Sequence, residues 1–249
     1  MPVRQRWGRL GGLAVSRYEI KYLIPAHVRS ALTARLSARM RPDPHSVDGR
    51  GLYHVHSIYL DSPGLSCHHE KLAGLLSRSK VRVRYYDDTR NPTILEIKGR
   101  LGNQILKERF SLDETHREAV LRGSRLLDHE WHPAVQAYNR AVTRWEFRPK
   151  VLIAYARLAF YSPLPGNLRI TFDTDLTVQR CTRMDGPTGM PHRILHPEWT
   201  VLEIKFERWM PAWISELVRA YALDMQAFGK YCLGVERLLN MGQLEYAAA

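Results

Sequence analysis

Between Lys80 and Phe110 the chain reads KVRVRYY, TILEIKGR and ILKERF, three short runs that alternate apolar with charged residues. Successive side chains of a strand point to opposite faces. The first run therefore places Lys80, Arg82 and Arg84 on one face and Val81, Val83 and Tyr85 on the other. Glu96, Lys98 and Arg100 lie opposite Leu95 and Ile97 in the second, and Lys107 and Arg109 continue the basic face in the third. Turn residues at Asn91-Pro92 and Gly102-Asn103 separate the runs. Taken alone, one such strand reads as the solvated face of an antiparallel sheet.

The alternation recurs through the chain. RYEIKYLI (17–24) sets Arg17, Glu19 and Lys21 against Tyr18, Ile20 and Tyr22. KVLIAYARLAFYS (150–162) sets Tyr155 and Arg157 against Ala156, Leu158 and Phe160, and LRITFDTDL (168–176) sets Arg169, Thr171, Asp173 and Asp175 against Ile170, Phe172 and Leu176. TVLEIKFE (200–207) sets Glu203, Lys205 and Glu207 against Leu202, Ile204 and Phe206, and YHVHSIYLDS (53–62) completes the strands. Faces this rich in Lys and Arg repel themselves unless a polyanion compensates them. That favours a barrel enclosing the charge over an open sheet wetting it, and about eight strands leave a lumen wide enough for a ligand. The apolar faces would then point outward, against helices.

Helices are expected over 28–40, 65–72, 132–145, 211–223 and 228–241, with a short one after Phe110 capped by Asp113 or Thr115. Pro25 suits a helix start and Pro42-Asp43-Pro44 a helix stop. Residues 183–198 read as a polar, proline-containing loop. Trp209, Trp213, Leu217 and Tyr221 form a helical stripe expected to pack on the barrel. The organisation is a flexible leader over 1–14, one domain over 15–240 and a tail over 241–249.

Of 249 residues, 45% are hydrophobic and 25% charged, which is an ordinary globular balance. A net charge of +12 and a pI near 9.8 point to a polyanionic partner. Cys67, Cys181 and Cys232 are odd in number and form no C-x-x-C pair, which argues against a disulfide framework or zinc module and fits a reducing cytoplasm. No apolar stretch approaches the roughly 18 residues of a membrane span, so any membrane association would come through a partner protein or a basic surface. His54 and His56 share a face and His68 and His69 are adjacent, but no second ligand pair has zinc spacing. No Walker loop occurs.

The order RYEIKY, SIYLDS, KVRVRYY, LEIKGR, KERF, YARLAFYS, LRITFDTDL, VLEIKFE and FGKYCLG resembles the polyphosphate polymerase domain of the vacuolar transporter chaperone family, among the CYTH-related triphosphate tunnel metalloenzymes. The resemblance covers residues 15 to 240. It implies an α+β fold, an antiparallel eight-stranded tunnel with a charged lumen, holding ATP and a growing inorganic polyphosphate chain. It assigns phosphate contacts to Lys21, Arg82, Arg84, Lys98, Lys107, Arg157, Arg169, Lys205 and Lys230, a phosphate-reaching hydroxyl to Tyr155 and metal binding to Glu203. Glu19, Glu96 or Asp173 are further carboxylates for a magnesium or manganese ion, although Glu96 reads better as a partner orienting Lys or Arg. Against eukaryotic subunits, the sequence carries neither an N-terminal phosphate-sensing domain nor C-terminal membrane spans, so regulation by inositol pyrophosphates and coupled export are not implied.

Phosphoryl transfer rests on alignment and charge neutralisation. Arg82 and Arg84 can fork onto phosphate oxygens while Lys98 and Lys107 act as point charges. A terminal phosphate attacking the γ-phosphate extends a chain and needs no base; water attacking it needs one, for which Glu19 or Asp175 are candidates. Polymerisation is the expected activity and triphosphate hydrolysis the alternative. A non-catalytic polyphosphate-binding or nucleic-acid-binding module is the reading from another class. Nucleic acid is not the expected partner, because the cations alternate within strands among carboxylates.

Overall fold

The computed structural model describes residues 17–44, 46, 49–87, 92–101, 104–183 and 186–246. The leader expected over 1–14 lies outside them, as does most of the two turns expected within Lys80–Phe110. The described strands are β1 (Arg17–Pro25), β2 (Arg41–Pro42), β3 (Leu52–Asp61), β4 (Ser77–Tyr86), β5 (Thr93–Leu101), β6 (Gln104–Leu112), β7 (Arg148–Tyr161), β8 (Arg169–Arg183), β9 (Gly186–Arg193) and β10 (Trp199–Glu207). The helices are α1 (Ala26–Ser37), α2 (Ser66–Leu72), α3 (Glu114–Arg122), α4 (Pro133–Trp145), α5 (Ala212–Ala220) and α6 (Lys230–Asn240).

Eight strands form one path, β1-β10-β8-β7-β3-β4-β5-β6, with β2 added to β7 and β9 to β8. All the pairings are antiparallel. The architecture is the expected α+β sheet of eight principal strands, with one refinement: β1 and β6 are its ends, and the sheet is not closed by hydrogen bonds between them. It curls enough for side chains near its two ends to meet, since Lys98 Nζ on β5 lies 4.0 Å from Glu19 Oε2 on β1.

Residues paired across antiparallel strands share a face, so the register defines the concave surface. Lys21 faces Glu203, Glu19 faces Lys205, Lys205 faces Arg169, Arg157 faces Asp173, and Arg82 faces both Tyr59 and Glu96. The convex face is apolar. On it, Leu32 and Leu36 of α1 and Ile214 of α5 pack with Tyr22, Ile170, Phe172, Leu202, Ile204 and Phe206. Toward the other end, Val120, Val135, Tyr138 and Ala141 of α3 and α4 join Leu95, Ile97 and Phe147. Burying each large aliphatic side chain in these layers contributes about 1.5–3 kcal/mol. Trp213, Leu217 and Tyr221 pack as expected, whereas Trp209, which precedes α5, is 74% exposed.

Two departures from the sequence expectation shape the site. The segment expected as a loop over 183–198 contains β9, which pairs irregularly with β8. Pro187 and Pro191 concealed it, because proline is admitted to strands at edges and bulges. The second departure is α6, which covers part of the concave face instead of the convex one. Its Tyr231 ring lies 5.0 Å from that of Tyr59, and Lys230 reaches the carboxylates of Asp173 and Glu203.

The helix seats there because Gly234 has no side chain: a Cβ at this position would stand 2.4 Å from Ile153 Cδ1 and 3.1 Å from Val178 Cγ2. Alanine is favoured over glycine in a helix by up to about 1 kcal/mol. Even so, Gly234→Ala is expected to destabilise the chain by about 1–3 kcal/mol through overpacking, read as a lower midpoint in urea; an unchanged or higher midpoint would show that α6 does not seat on Ile153.

Candidate active site

The concave face gathers its charges into three groups, each organised on a buried carboxylate. In the first, Arg82 Nε donates to Glu96 Oε2 at 2.7 Å, and Arg109 Nε and Lys107 Nζ reach Oε1 at 2.8 Å each. Arg84 Nη1 lies 3.7 Å away and donates through Nε to Ser57 Oγ at 3.2 Å. Strand alternation forces this convergence: Glu96 stands opposite Arg82 on one neighbour and Arg109 on the other. Burial alone would raise the Glu96 pKa, but Arg82, Arg84 and Lys107 outweigh it and hold the carboxylate ionised. Burial lowers Lys107 to about 8 despite Glu96. Tyr59, whose hydroxyl accepts from Arg82 Nη1 at 3.0 Å, would be raised by burial but is drawn down to about 8 by Arg82, Lys80 and Arg84.

The second group is centred on Asp173 and Glu203. Arg157 forks onto Asp173 at 2.6 and 2.7 Å, and Lys230 Nζ bridges Asp173 Oδ2 at 2.6 Å and Glu203 Oε1 at 2.8 Å. Lys205 holds Glu203 Oε2 at 2.8 Å, with Arg157 Nη2 at 3.6 Å, and Lys21 lies 3.3 Å from Oε1. The Tyr155 ring lies beneath two of these cations, 5.2 Å from Arg157 and 5.0 Å from Lys230. Burial opposes ionisation of Glu203, but Lys230, Lys205, Lys21 and Arg157 keep its pKa well below the usual carboxylate range. Glu19, 3.1 Å from Lys21, is likewise brought down to about 2 by Lys205, Lys21 and Lys98 against the effect of burial.

In the third group Arg169 Nη2 donates to Asp43 in a short contact and to the Tyr53 hydroxyl at 2.8 Å. Burial pushes that phenol up to about 12, with Arg157 and Arg169 opposing.

Every residue the resemblance named thus has a position. Arg82, Arg84 and Lys107 gather on Glu96; Lys21, Arg157, Lys205, Lys230 and Tyr155 gather around Asp173 and Glu203. Lys98 stands between β5 and β1 beside Glu19, and Arg169 stands apart with Asp43. Arg109 was on the predicted basic face but outside the named set, although alternation alone would have included it. Asp43, Tyr53 and Tyr59 carried no such signal: Asp43 lies in the segment that reads only as a helix stop. Among the described residues the histidines singled out by spacing form no metal centre. His54 pairs with Asp87, His56 stacks on Tyr85 and His68 faces Glu236.

Among the described residues no group of three or more His, Cys, Asp or Glu side chains is arranged to hold a metal by itself. A magnesium-type ion asks for less, taking one or two carboxylates and completing its shell with substrate phosphate and water. Glu19 and Glu203 fit that donor set. Both contact the Lys21 ammonium, at 3.1 and 3.3 Å, so the pair already holds one positive charge between hard oxygen donors.

The sequence profile of the VTC domain family matches residues 16–239. The vacuolar transporter chaperone complex subunit 4 of Trypanosoma cruzi is 26% identical over 226 residues, covering 74% of this chain and 28% of that protein. The subunit of the same name from Schizosaccharomyces pombe is 24% identical over 227 residues, covering 74% and 32%. The chain therefore spans less than a third of the length of these relatives. A solved Bacillus halodurans protein, described as a candidate adenylate cyclase, superposes with a TM-score of 0.52 at 11% identity over 86% of this chain and 95% of that one, a likeness of fold alone.

Two outcomes follow from the first group. Glu96→Gln leaves Arg82, Arg84, Lys107 and Arg109 crowded without their counter-charge and should cost about 3 kcal/mol. Added tripolyphosphate should restore the melting temperature more in this variant than in the parent chain; equal shifts would mean that Glu96 and phosphate do not share the cations. Lys107 is an ammonium below pH 8 and loses its proton as pH rises through that value. Tripolyphosphate affinity should accordingly fall across pH 8 in the parent chain, because Lys107 loses its charge there and the Tyr59 phenol gains one; Lys107→Arg should remove the first contribution and Lys107→Arg with Tyr59→Phe most of the fall. Superimposable pH profiles would exclude Lys107 from the site.

Proposed function

Because this chain belongs to the VTC domain family, we propose that it is an ATP-dependent polyphosphate polymerase, transferring the γ-phosphate of ATP to the end of an inorganic polyphosphate chain and releasing ADP. The observation that carries this reading is the convergence of Arg82, Arg84, Lys107 and Arg109 on Glu96 and of Lys21, Lys205, Arg157 and Lys230 on Glu203 and Asp173. Basic side chains outnumber carboxylates on one concave face, which suits a ligand that is itself a chain of anions. The names of the curated relatives, subunits of a vacuolar transporter chaperone complex, agree with a role for this domain beside partner proteins. Among the described residues no helix is long and apolar enough to cross a membrane, which is compatible with work at the cytoplasmic side of such a complex.

In this mechanism Arg82 and Arg84 orient non-bridging oxygens, Lys21, Lys98, Lys107 and Lys205 supply point charges around them, and Arg157, whose fork is held by Asp173, adds positive charge from the floor of the site. Arg169 with Tyr53 holds a further phosphate of the chain. Lys230 keeps Asp173 and Glu203 ionised and in place, and Tyr155 supports Arg157 and Lys230 from below. A magnesium or manganese ion held by Glu203 and Glu19 would supply additional neutralisation of charge on the transferring group. With alignment and charge provided, the terminal phosphate of the chain attacks without a base.

That last step also weighs against the hydrolytic alternative. Activation of water asks for a carboxylate with a pKa near the working pH, whereas Glu19, Glu96, Asp173 and Glu203 are all shifted downward. Asp175, the other candidate base, is 63% exposed at its side chain and faces Arg193 of β9.

Incubation with ATP and manganese should yield ADP together with long polyphosphate, resolved on a gel; free phosphate as the sole product would move the assignment to a triphosphatase. Arg82→Ala should reduce synthesis by about 10²-fold or more while far-ultraviolet circular dichroism is retained. Undiminished synthesis would remove Arg82 from the machinery.

A further inference from the structure

On the concave face, Thr171 of β8 stands between Arg169 and Asp173. Its side chain is buried at 0% exposure. Its Oγ1 has no hydrogen-bond partner among the described residues, and the register shows why. Thr171 faces Ala159 on β7, whose methyl group offers nothing polar, and Glu203 on β10. The Glu203 oxygens are turned to cations, Oε1 to Lys230 and Lys21 and Oε2 to Lys205 and Arg157. Asp173, two positions along the same face, is forked by Arg157 and held by Lys230.

A buried hydroxyl without a partner costs the free energy of its lost hydration. Strand preference does not account for it, because valine has the same branched shape and the same preference. What threonine has and valine lacks is a donor and acceptor, so the residue is explained by something that uses its hydroxyl.

Arg169 is in the same condition. It precedes Thr171 by two positions on the same face, about 7 Å along the strand. Its Nη2 donates to Asp43 and Tyr53, while its Nε is buried and likewise without a partner among the described residues. Lys205 faces Arg169 and Lys21 faces Glu203, so both unpaired donors lie beside ammonium groups. An oxyanion suits this set, with one oxygen for the guanidinium, a second for the hydroxyl and positive charge around both. A phosphate presents its oxygens at different heights above the sheet, as a short and a long side chain on neighbouring positions require.

We infer that the Thr171 hydroxyl is a phosphate-positioning contact at the floor of the site, donating to an oxygen of the phosphate group held by Arg169 and Lys205. This contact builds on the reading of the concave face as a phosphate site and adds to it a neutral group that charge patterning does not reveal. In the free chain Lys205 is turned to Glu203, at 2.8 Å. A phosphate that draws the lysine to itself opens the way to the hydroxyl, which then fixes the depth at which the phosphate settles.

Two measurements on the whole chain test the assignment together, the urea midpoint without ligand and tripolyphosphate affinity by calorimetry. Thr171→Val removes an unpaired polar atom at constant shape, so its midpoint should equal or exceed that of the parent chain. The same variant should bind tripolyphosphate about tenfold more weakly, through loss of one hydrogen bond to a charged group. Thr171→Ser keeps the hydroxyl and loses the methyl group; it should lower the midpoint and retain the parent's affinity. A hydroxyl that serves the fold alone gives the opposite pattern, a lower midpoint for Thr171→Val with unchanged affinity, and that result overturns the inference. Weakened binding that serine fails to restore overturns it as well. Arg82→Ala separates this contact from the reading beneath it. If Arg82→Ala weakens binding and Thr171→Val does not, the concave face remains the phosphate site and only the role of Thr171 falls. A parent chain that binds no tripolyphosphate removes both.

Discussion

The structure depends on buried carboxylates that keep a crowd of like charges on one concave face. Glu96 answers Arg82, Arg84, Lys107 and Arg109; Asp173 and Glu203 answer Arg157, Lys230, Lys205 and Lys21. Removing a charge from water costs several kcal/mol per ion unless partners repay it. Without these acids the basic strands could not curl toward one another. With them, the face retains a surplus of positive charge that a polyanion can use. On the proposed reading folding and binding draw on the same cations, with the carboxylates serving the folded protein and phosphate completing the compensation.

A division of labour follows along the sheet. The convex side is conventional, with α1 and α5 on one half and α3 and α4 on the other, and it fixes the curvature. The concave side is charged where it is open and apolar where α6 covers it, through Tyr59, Ile153 and Val178. Lys230, at the start of α6, joins the two regions. It belongs to the helix by sequence and to the acid group by its bonds to Asp173 and Glu203. Tyr231, the next residue, donates to Asp61, whose carboxylate also accepts the amides of Cys67 and His68 at the start of α2. A short run of chain thereby links the charged concave surface to the start of α2.

Much of this was legible in the sequence because strand alternation is strict. Arg82, Glu96 and Lys107 could be put on one face from spacing alone, and the same reasoning puts Arg109 beside them. Other features lay beyond such reasoning. The amphipathic pattern of α6 says that one side is buried but not which side of the sheet receives it; that is decided by the missing side chain of Gly234. The irregular strand β9 looks like a loop because Pro187 and Pro191 are turn-formers in most settings. Asp43 reads as part of a helix stop, and its contact with Arg169 spans 126 positions that no local pattern connects. The grouping of Asp173, Arg157 and Lys230 likewise rests on the register of β7 with β8 and on the seat of α6.

The central claim is that the concave face is where a phosphate chain lies. A crystal structure of the chain with tripolyphosphate tests it most directly. The account predicts phosphate density between the Glu96 group and the Glu203 group, within hydrogen-bonding reach of Arg82, Arg84, Lys107, Lys21 and Lys205. Saturating ligand with density confined to the outer surface, and none on those side chains, would contradict it.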